Sequence, residues 1–233
     1  MTDIPSGQLF YAGSVEGELI RFDTFESRHL YKVLRKREGD TIFITDGRGR
    51  LFRSRIIAAN ANRLSAWVED VKYFEPPSRK LHVFIAPPKN IDRFEWFLEK
   101  AVELGVWEIT PIHTAFGERS KLNFERLEKI IVSALKQSLR LYKPTLHPWK
   151  KFHDILNSND ALFAALCRNE TPANAAYVQS PSASVVIGPE GGFSPDELNR
   201  LRSAQIPAIR LGRHRLRTET AGVAAVCLYY GNA

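Results

Sequence analysis

Cysteine is nearly absent from this chain of 233 residues: only Cys167 and Cys227 occur. Two are too few for a disulfide framework and are spaced wrongly for a zinc site, so both read as packing thiols in a reducing compartment. Long apolar runs are also missing. No stretch approaches the roughly 18 to 20 residues that span a bilayer, and the opening MTDIPSGQLF has neither the basic start nor the apolar core of a secretory signal. The expected location is the cytoplasm, where the sequon Asn169-Glu170-Thr171 never meets the glycosylation machinery. The phosphate-loop pattern G-x-x-x-x-G-K-S/T, the dinucleotide pattern G-x-G-x-x-G, the hydrolase elbow G-x-S-x-G and the zincin pattern H-E-x-x-H are absent, and the chemistries they support go with them. The six histidines form no ligand set: His147 and His153 share a proline-bearing segment and His113 ends a strand pattern. No metal is expected.

What is present is a globular composition, 44% hydrophobic and 25% charged, which excludes a disordered tail, a collagen-like repeat and a disulfide-dense mini-domain. Lys and Arg number 33 against 26 Asp and Glu, a formal charge of +7 that favours polyanionic partners without proving one. The length allows two modest domains or one large one.

Two rhythms divide the chain. Residues 1–72 read as short strands (QLFYAG, ELIRF, DTIFITDG, RLFRSRIIAAN, LSAWVEDV), with a hairpin turn at Asp46-Gly47-Arg48-Gly49. One helix interrupts them at 27–36, with Ser27 as its cap and His29, Leu30, Val33 and Leu34 along one face. A small β-barrel with one helix is the expectation. YFEPPSRK, residues 73–80, breaks all periodicity and marks the boundary. Residues 73–233 then alternate strand and helix: LHVFIA, a helix over 91–104, WEITPIH, a helix over 123–141, ALFAALC, SVVIG, a helix from Pro195, IPAIRLG and the apolar helix TAGVAAVCLYY. Five apolar strand candidates predict an α/β domain with a largely parallel sheet.

Two strand ends carry unusual loops. Gly188-Pro189-Glu190-Gly191-Gly192-Phe193-Ser194 follows the buried-strand pattern SVVI, where ligands of parallel sheets bind. Ser194, Pro195 and Glu197 then supply a capping box with proline at the first helical position. A tight strand-to-helix turn is the plainer reading of these glycines. The second loop, Leu211-Gly212-Arg213-His214-Arg215-Leu216-Arg217-Thr218-Glu219-Thr220-Ala221, also runs into a helix, and the arginines at 210, 213, 215 and 217 must face water, acids or phosphate. Between Arg28 and Arg55 nine Lys or Arg stand against three acids, with Tyr31, Phe43 and Phe52 interleaved. That clustering suits phosphate-backbone contact better than its alternative, a merely solvated barrel surface.

Taken together, VVIGPEGGFSPDEL and LGRHRLRTETAGVAAV resemble the RsmE family, the 16S ribosomal RNA (uracil-N3)-methyltransferases of the SPOUT class. HLYKVLRKREGD, DGRGR, PPKNIDRFEWFLEKAVELGVWEITPI and the ERS at 118–120 extend the resemblance over both domains. It implies a PUA-like RNA-binding β-barrel followed by a SPOUT α/β domain with a deep C-terminal trefoil knot, a departure from the rule that chains do not thread. It implies a homodimer that binds S-adenosylmethionine in the knot and methylates N3 of one uridine near the decoding centre of the small subunit, with no metal and no membrane. The implied cofactor residues are Leu166 at the end of Ala165-Leu166-Cys167, then Gly188, Pro189, Glu190, Gly191 and Gly192, and Leu211, Gly212, Leu216, Arg217, Thr218, Thr220 and Ala221. The implied RNA-binding set is Arg28, Lys32, Arg35, Lys36, Arg37, Arg48, Arg50, Arg213 and Arg215.

The chain departs from the family at Arg213-His214-Arg215 and at Lys136, where many members carry Glu. Methylating N3 requires removal of a weakly acidic proton and support for charge spreading onto the flanking carbonyl oxygens. Arg217 is the candidate for that charge. Glu219 or a water is the candidate proton acceptor, with helix capping or pairing to Arg217 as its alternative roles. Rival readings are a non-catalytic ribosome-assembly binder and a related methylase acting on transfer RNA or on ribose 2′-hydroxyls.

Overall fold

A computed structural model of the chain describes residues 7–13, 15, 17–156, 161–166 and 172–231, which leaves Cys167 and the Asn169 sequon outside the described residues. The chain divides into two compact units. The first holds the described residues up to Pro76 together with Leu135–Lys143; the second holds Pro77–Ala134 and Pro144 onward.

In the first unit, strands β1 (Phe10–Tyr11), β2 (Leu19–Arg21), β3 (Thr41–Thr45), β4 (Arg50–Ala59) and β5 (Leu64–Tyr73) form one sheet in the order β1-β3-β4-β5-β2. Alternation explains the core: Ile42 and Ile44 of β3, Phe52 and Ile56 of β4, and Leu64, Ala66 and Val68 of β5 all point inward. Phe10 from one edge strand and Ile20 from the other join the same cluster. The sheet therefore bends around its core, helped by register irregularities between Arg53 and Ser54 and between Ile56 and Ala58. Among the described residues no pairing closes β1 onto β2. The hairpin turn forms where the sequence places it, with the buried Asp46 carboxylate accepting from the Arg48 amide at 2.9 Å and pairing with Arg50 Nε at 2.7 Å.

The predicted helix is corrected at both ends. It begins earlier, as α1 (Thr24–Arg28), and its cap is Asp23, whose carboxylate accepts from the Glu26 amide at 2.7 Å. A π-helical turn, His29–Val33, completes it. Ser27 is instead a buried latch, donating to the Phe22 carbonyl and accepting from the Leu64 amide at 2.9 Å. The wider π turn rotates the expected face, so Leu30 is buried while Val33 is 66% exposed. Lys136, the departure from the family pattern, bonds both carboxylate oxygens of the buried Glu26 at 2.9 Å.

The second unit contains β6 (Lys80–Ile85), α2 (Ile91–Leu104), β7 (Glu108–His113), α3 (Phe124–Gln137, whose last residues belong to the first unit), β8 (Thr145–Leu146), β9 (Lys150–Lys151), α4 (Phe152–Ile155), β10 (Ala161–Ala165), α5 (Asn174–Gln179), β11 (Ser182–Ile187), α6 (Pro195–Ser203), β12 (Ala208–Ile209) and α7 (Thr218–Tyr230). The sheet order is β12-β10-β11-β6-β7-β8, with β9 also on β7, and every pair is parallel. Leu81, Val83, Phe84 and Ile85 of β6 are all buried, as a strand covered on both faces requires. The helix expected over 123–141 stops at Gln137, and IPAIRLG contributes a strand of only two residues. Cys227, expected to pack, is exposed on α7.

Helix α7 lies so close to α2 that a Cβ on Gly222 would stand 2.6 Å from the Phe97 ring and 3.2 Å from Ile85 Cδ1. Phe97 is fully buried and has little room to yield. Gly222→Ala is therefore expected to destabilise by about 1 to 3 kcal/mol through overpacking, even though alanine favours helix by about 1 kcal/mol. Urea denaturation checks it: stability at or above that of the parent would show that the two helices can part.

Candidate active site

The ends of β10, β11 and β12 point to the same edge of the sheet, and the end of β10 with the loops leaving β11 and β12 lines a cleft with two adjoining lobes. One lobe, about 350 Å³, is lined by Leu166, Gly188 to Phe193, Arg215, Leu216, Thr218 and Ala221 among others. The second, about 340 Å³, is lined by Arg210 to Leu216 and shares Ala165, Leu166, Arg215, Leu216 and Ala221 with the first. Either falls within the range of small-molecule pockets, about 300 to 1,000 Å³.

Local chemistry holds the walls. The capping box forms as the sequence predicts: Ser194 Oγ accepts from the Glu197 amide at 3.2 Å, and Glu197 Oε2 accepts from the Ser194 amide at 2.8 Å. Glu197 Oε1 also accepts from the Ala115 amide at 2.8 Å, which ties α6 to the end of β7. Gly192, with φ +77°, closes a turn in which its amide donates to the Pro189 carbonyl at 2.8 Å. The two loops are joined directly, for Thr218 Oγ1 donates to the Gly188 carbonyl at 3.1 Å and the Arg215 guanidinium donates to the Glu190 carbonyl. From the opposite side Glu190 Oε1 accepts from the Lys89 amide at 3.2 Å. The Lys89 ammonium pairs with Glu118 at 2.8 Å, and that hydrogen bond raises its pKa. Arg119 donates to the Pro88 carbonyl at 3.0 Å, so the PPKN and ERS segments brace the glycine loop together.

Of the residues expected to hold a cofactor, Leu166, Gly188, Pro189, Glu190, Gly191, Gly192, Leu211, Gly212, Leu216, Thr218 and Ala221 line the cleft. Arg217 and Thr220 do not. They line a separate recess of about 360 Å³ with Asp92, Arg93, Trp96 and Glu219. The reason is the change of geometry at the helix start: Arg217, with φ −69° and ψ 156°, is the last extended residue before α7, and beyond it Thr218 and Ala221, three apart on one helical face, line the cleft while Glu219 and Thr220 line the recess with Arg217. Glu219 is buried and pairs with Arg93 at 3.7 Å, a partner that the sequence reading missed because it lies on α2. Its Oε2 has no hydrogen-bond partner among the described residues.

The basic stretch of the first unit separates into two groups. Arg50 is engaged by Asp46, and Arg37 stacks on Tyr31 at 4.7 Å while donating to the Lys36 carbonyl. Arg28, Lys32, Arg35 and Arg48 are exposed and Lys36 half-buried. In the second unit Arg213 is exposed, whereas Arg215 bonds the glycine loop. Phe52, expected among the contact aromatics, is buried in the core; the exposed rings of this unit are Phe25, Trp67 and Tyr73.

The family model for the RNA methyltransferase domain matches residues 75–229, and that for the RNA methyltransferase PUA domain matches residues 23–66. Ribosomal RNA small subunit methyltransferase E of Mycobacterium bovis is 31% identical, over 94% of this chain and 89% of its own. The chain belongs to this family of RNA methyltransferases. A crystal structure described as a "probable rRNA-methyltransferase" from Porphyromonas gingivalis is 32% identical and superposes with a TM-score of 0.88, covering 97% of this chain and 99% of its own. The methyltransferase E of Neisseria gonorrhoeae, bound to S-adenosyl methionine, is 25% identical with a TM-score of 0.82, covering 94% and 95%. In this methyltransferase Ser194→Ala removes the cap of α6 and is expected to cost about 1 kcal/mol. A denaturation midpoint equal to that of the parent would show that the glycine loop does not depend on that box.

Proposed function

We propose that this RNA methyltransferase transfers a methyl group from S-adenosylmethionine to N3 of a uridine in 16S ribosomal RNA. The observation that carries the reading is the shared wall between cleft and recess, formed where the loop after β12 enters α7: Leu216, Thr218 and Ala221 face the cleft, and Arg217, Glu219 and Thr220 face the recess. The cleft suits an adenosyl group: Leu166, Ile187 and Leu216 offer apolar walls, and the glycine-rich loop after β11 brings backbone amides and carbonyls to its edge. When bound, the cofactor supplies an electrophilic methyl on a sulfonium.

The recess is the place for the base. Trp96, 43% exposed, offers a stacking face. Arg217 supplies the positive charge that the uracil carbonyl oxygens need as N3 loses its proton. Glu219 is the proton acceptor in this reading, which is supported by an Oε2 that is buried and has no hydrogen-bond partner among the described residues. Atoms balance when the N3 lone pair forms the new N–C bond, the S–C bond breaks and S-adenosylhomocysteine leaves. Extrusion of the base costs a few kcal/mol if it begins stacked.

The finer architecture belongs to the same proposal. A deep trefoil knot is supported by the path of α7, which leaves the edge strand β12 and returns to pack on β6 and α2. A homodimer is supported by the apolar face of α7, where Val223 and Ala224 are half-buried and Cys227 is exposed. RNA affinity is assigned to Arg28, Lys32, Arg35, Lys36, Arg48 and Arg213. Among the described residues no helix is long and apolar enough to cross a membrane, and the cytoplasm, where ribosomes assemble, is the proposed location.

The test is transfer of labelled methyl groups into small-subunit RNA from a strain lacking this enzyme, with mass mapping of the product. N3-methyluridine is the expected product. A 2′-O-methyl product or a transfer RNA substrate would replace the reading, and no cofactor binding by calorimetry would favour the assembly-binder alternative. Arg217→Ala is expected to keep cofactor affinity within a few-fold while methyl transfer falls by about 10² to 10³; near-normal turnover would remove Arg217 from the chemistry. The double variant Arg28→Ala with Lys32→Ala is expected to weaken RNA binding across sequences and to lower its salt slope by about 1 to 2. An unaltered slope would take this surface out of the interface.

A further inference from the structure

His82, Glu108 and His147 place three donor atoms within 4.8 Å of one another, and nothing in the methyl transfer uses them. They stand on neighbouring strands. His82 of β6 pairs in register with Glu108, the first residue of β7. His147 follows β8, which pairs with β7 at Glu108 and Ile109; its amide donates to the Ile109 carbonyl at 2.8 Å. Backbone pairing therefore sets the positions from which these side chains meet.

The geometry suits an ion. His147 Nε2 lies 2.6 Å and His82 Nδ1 3.9 Å from the same Glu108 oxygen, Oε2. Ligands at about 2.0 to 2.2 Å around a tetrahedral zinc stand about 3.3 to 3.5 Å from one another. The two observed separations bracket that value, and all three donor atoms already lie within 4.8 Å of one another. The other His82 nitrogen, Nε2, is 2.7 Å from Thr110 Oγ1, the outer hydrogen bond that orients a metal-binding imidazole. The side chains are 12%, 32% and 31% exposed for His82, Glu108 and His147, which leaves an open side for water.

We propose that His82, Glu108 and His147 form a divalent-cation site of the zinc type, with two imidazoles and one carboxylate from the protein and water completing the shell. The nitrogen-rich donor set disfavours magnesium and calcium, which take oxygen ligands. The site lies where β6 and β7 begin, whereas the cofactor cleft lies where β10, β11 and β12 end, so the ion braces the sheet and takes no part in methyl transfer. One charge opposes it: the Lys150 ammonium stands 6.0 Å from the Phe84 ring on which His82 stacks. The sequence conceals the set because His82 sits inside the apolar pattern LHVFIA and His147 lies 39 positions beyond Glu108.

The experiment uses tag-free, full-length protein stripped with EDTA and dialysed, titrated with zinc chloride by calorimetry and with cobalt chloride by visible absorption. One ion per chain, tetrahedral cobalt bands and a zinc-dependent rise of several degrees in Tm are expected. Glu108→Gln and His147→Gln each weaken zinc binding by more than about tenfold; their Tm in EDTA reports whether they fold. Failure of the parent to bind zinc, or undiminished binding by both folded variants, overturns the proposal. So does a thiolate-to-cobalt charge-transfer band in the parent, which places the ion at a cysteine and needs no variant to be read.

Discussion

Strands that all run in one direction oblige every connection leaving a strand tip to emerge at one edge of the sheet. In the second unit that constraint brings the loop after β11 and the loop after β12 beside the end of β10, although about 20 residues of chain separate the two loops. Neither loop makes a cleft alone. Two hydrogen bonds, Thr218 to Gly188 and Arg215 to Glu190, then fasten them to each other, and α7 leads away from that junction to lie against α2. The same parallel register fixes what gathers at the opposite edge, where His82, Glu108 and His147 meet at the strand beginnings.

The parts legible in the sequence are those decided by local rules. The glycine-rich loop after β11, the basic loop after β12, the capping box on α6, the hairpin turn at Asp46 and the full span of α2 depend on residues within a few positions of each other. The misread parts depend on distant partners. Ser27 reads as a helix cap because hydroxyls at that position usually are, but the Leu64 amide claims it and Asp23 caps instead. Phe52 reads as a contact aromatic, yet the alternation of β4 turns it inward. Strands β8 and β9 and helices α4 and α5 are too short for any periodicity to show. Glu219 has Arg93 as its partner, and nothing in the spacing of the last loop points to α2.

The buried and half-buried charges show how a basic chain distributes its excess. Lys136 is spent on Glu26 inside the first unit, Arg50 on Asp46 in the hairpin turn, and Arg126 on Glu95 at 2.5 Å between α3 and α2. Such pairs fix geometry more than they add stability. The charge left exposed near α1 and the hairpin is correspondingly smaller than the count of arginines and lysines suggests, and phosphate contact has fewer residues to draw on.

The junction at the start of α7 serves two chambers with one thread of backbone: Leu216, Thr218 and Ala221 face one, and Arg217, Glu219 and Thr220 the other. Inserting or deleting a single residue in that first turn would rotate the helical face by about 100° and turn Thr218 and Ala221 away from the cleft. Substitution within the preceding Arg213-His214-Arg215 leaves the phase of the helix intact. Mutational tolerance at this junction should therefore track residue number far more strictly than residue type.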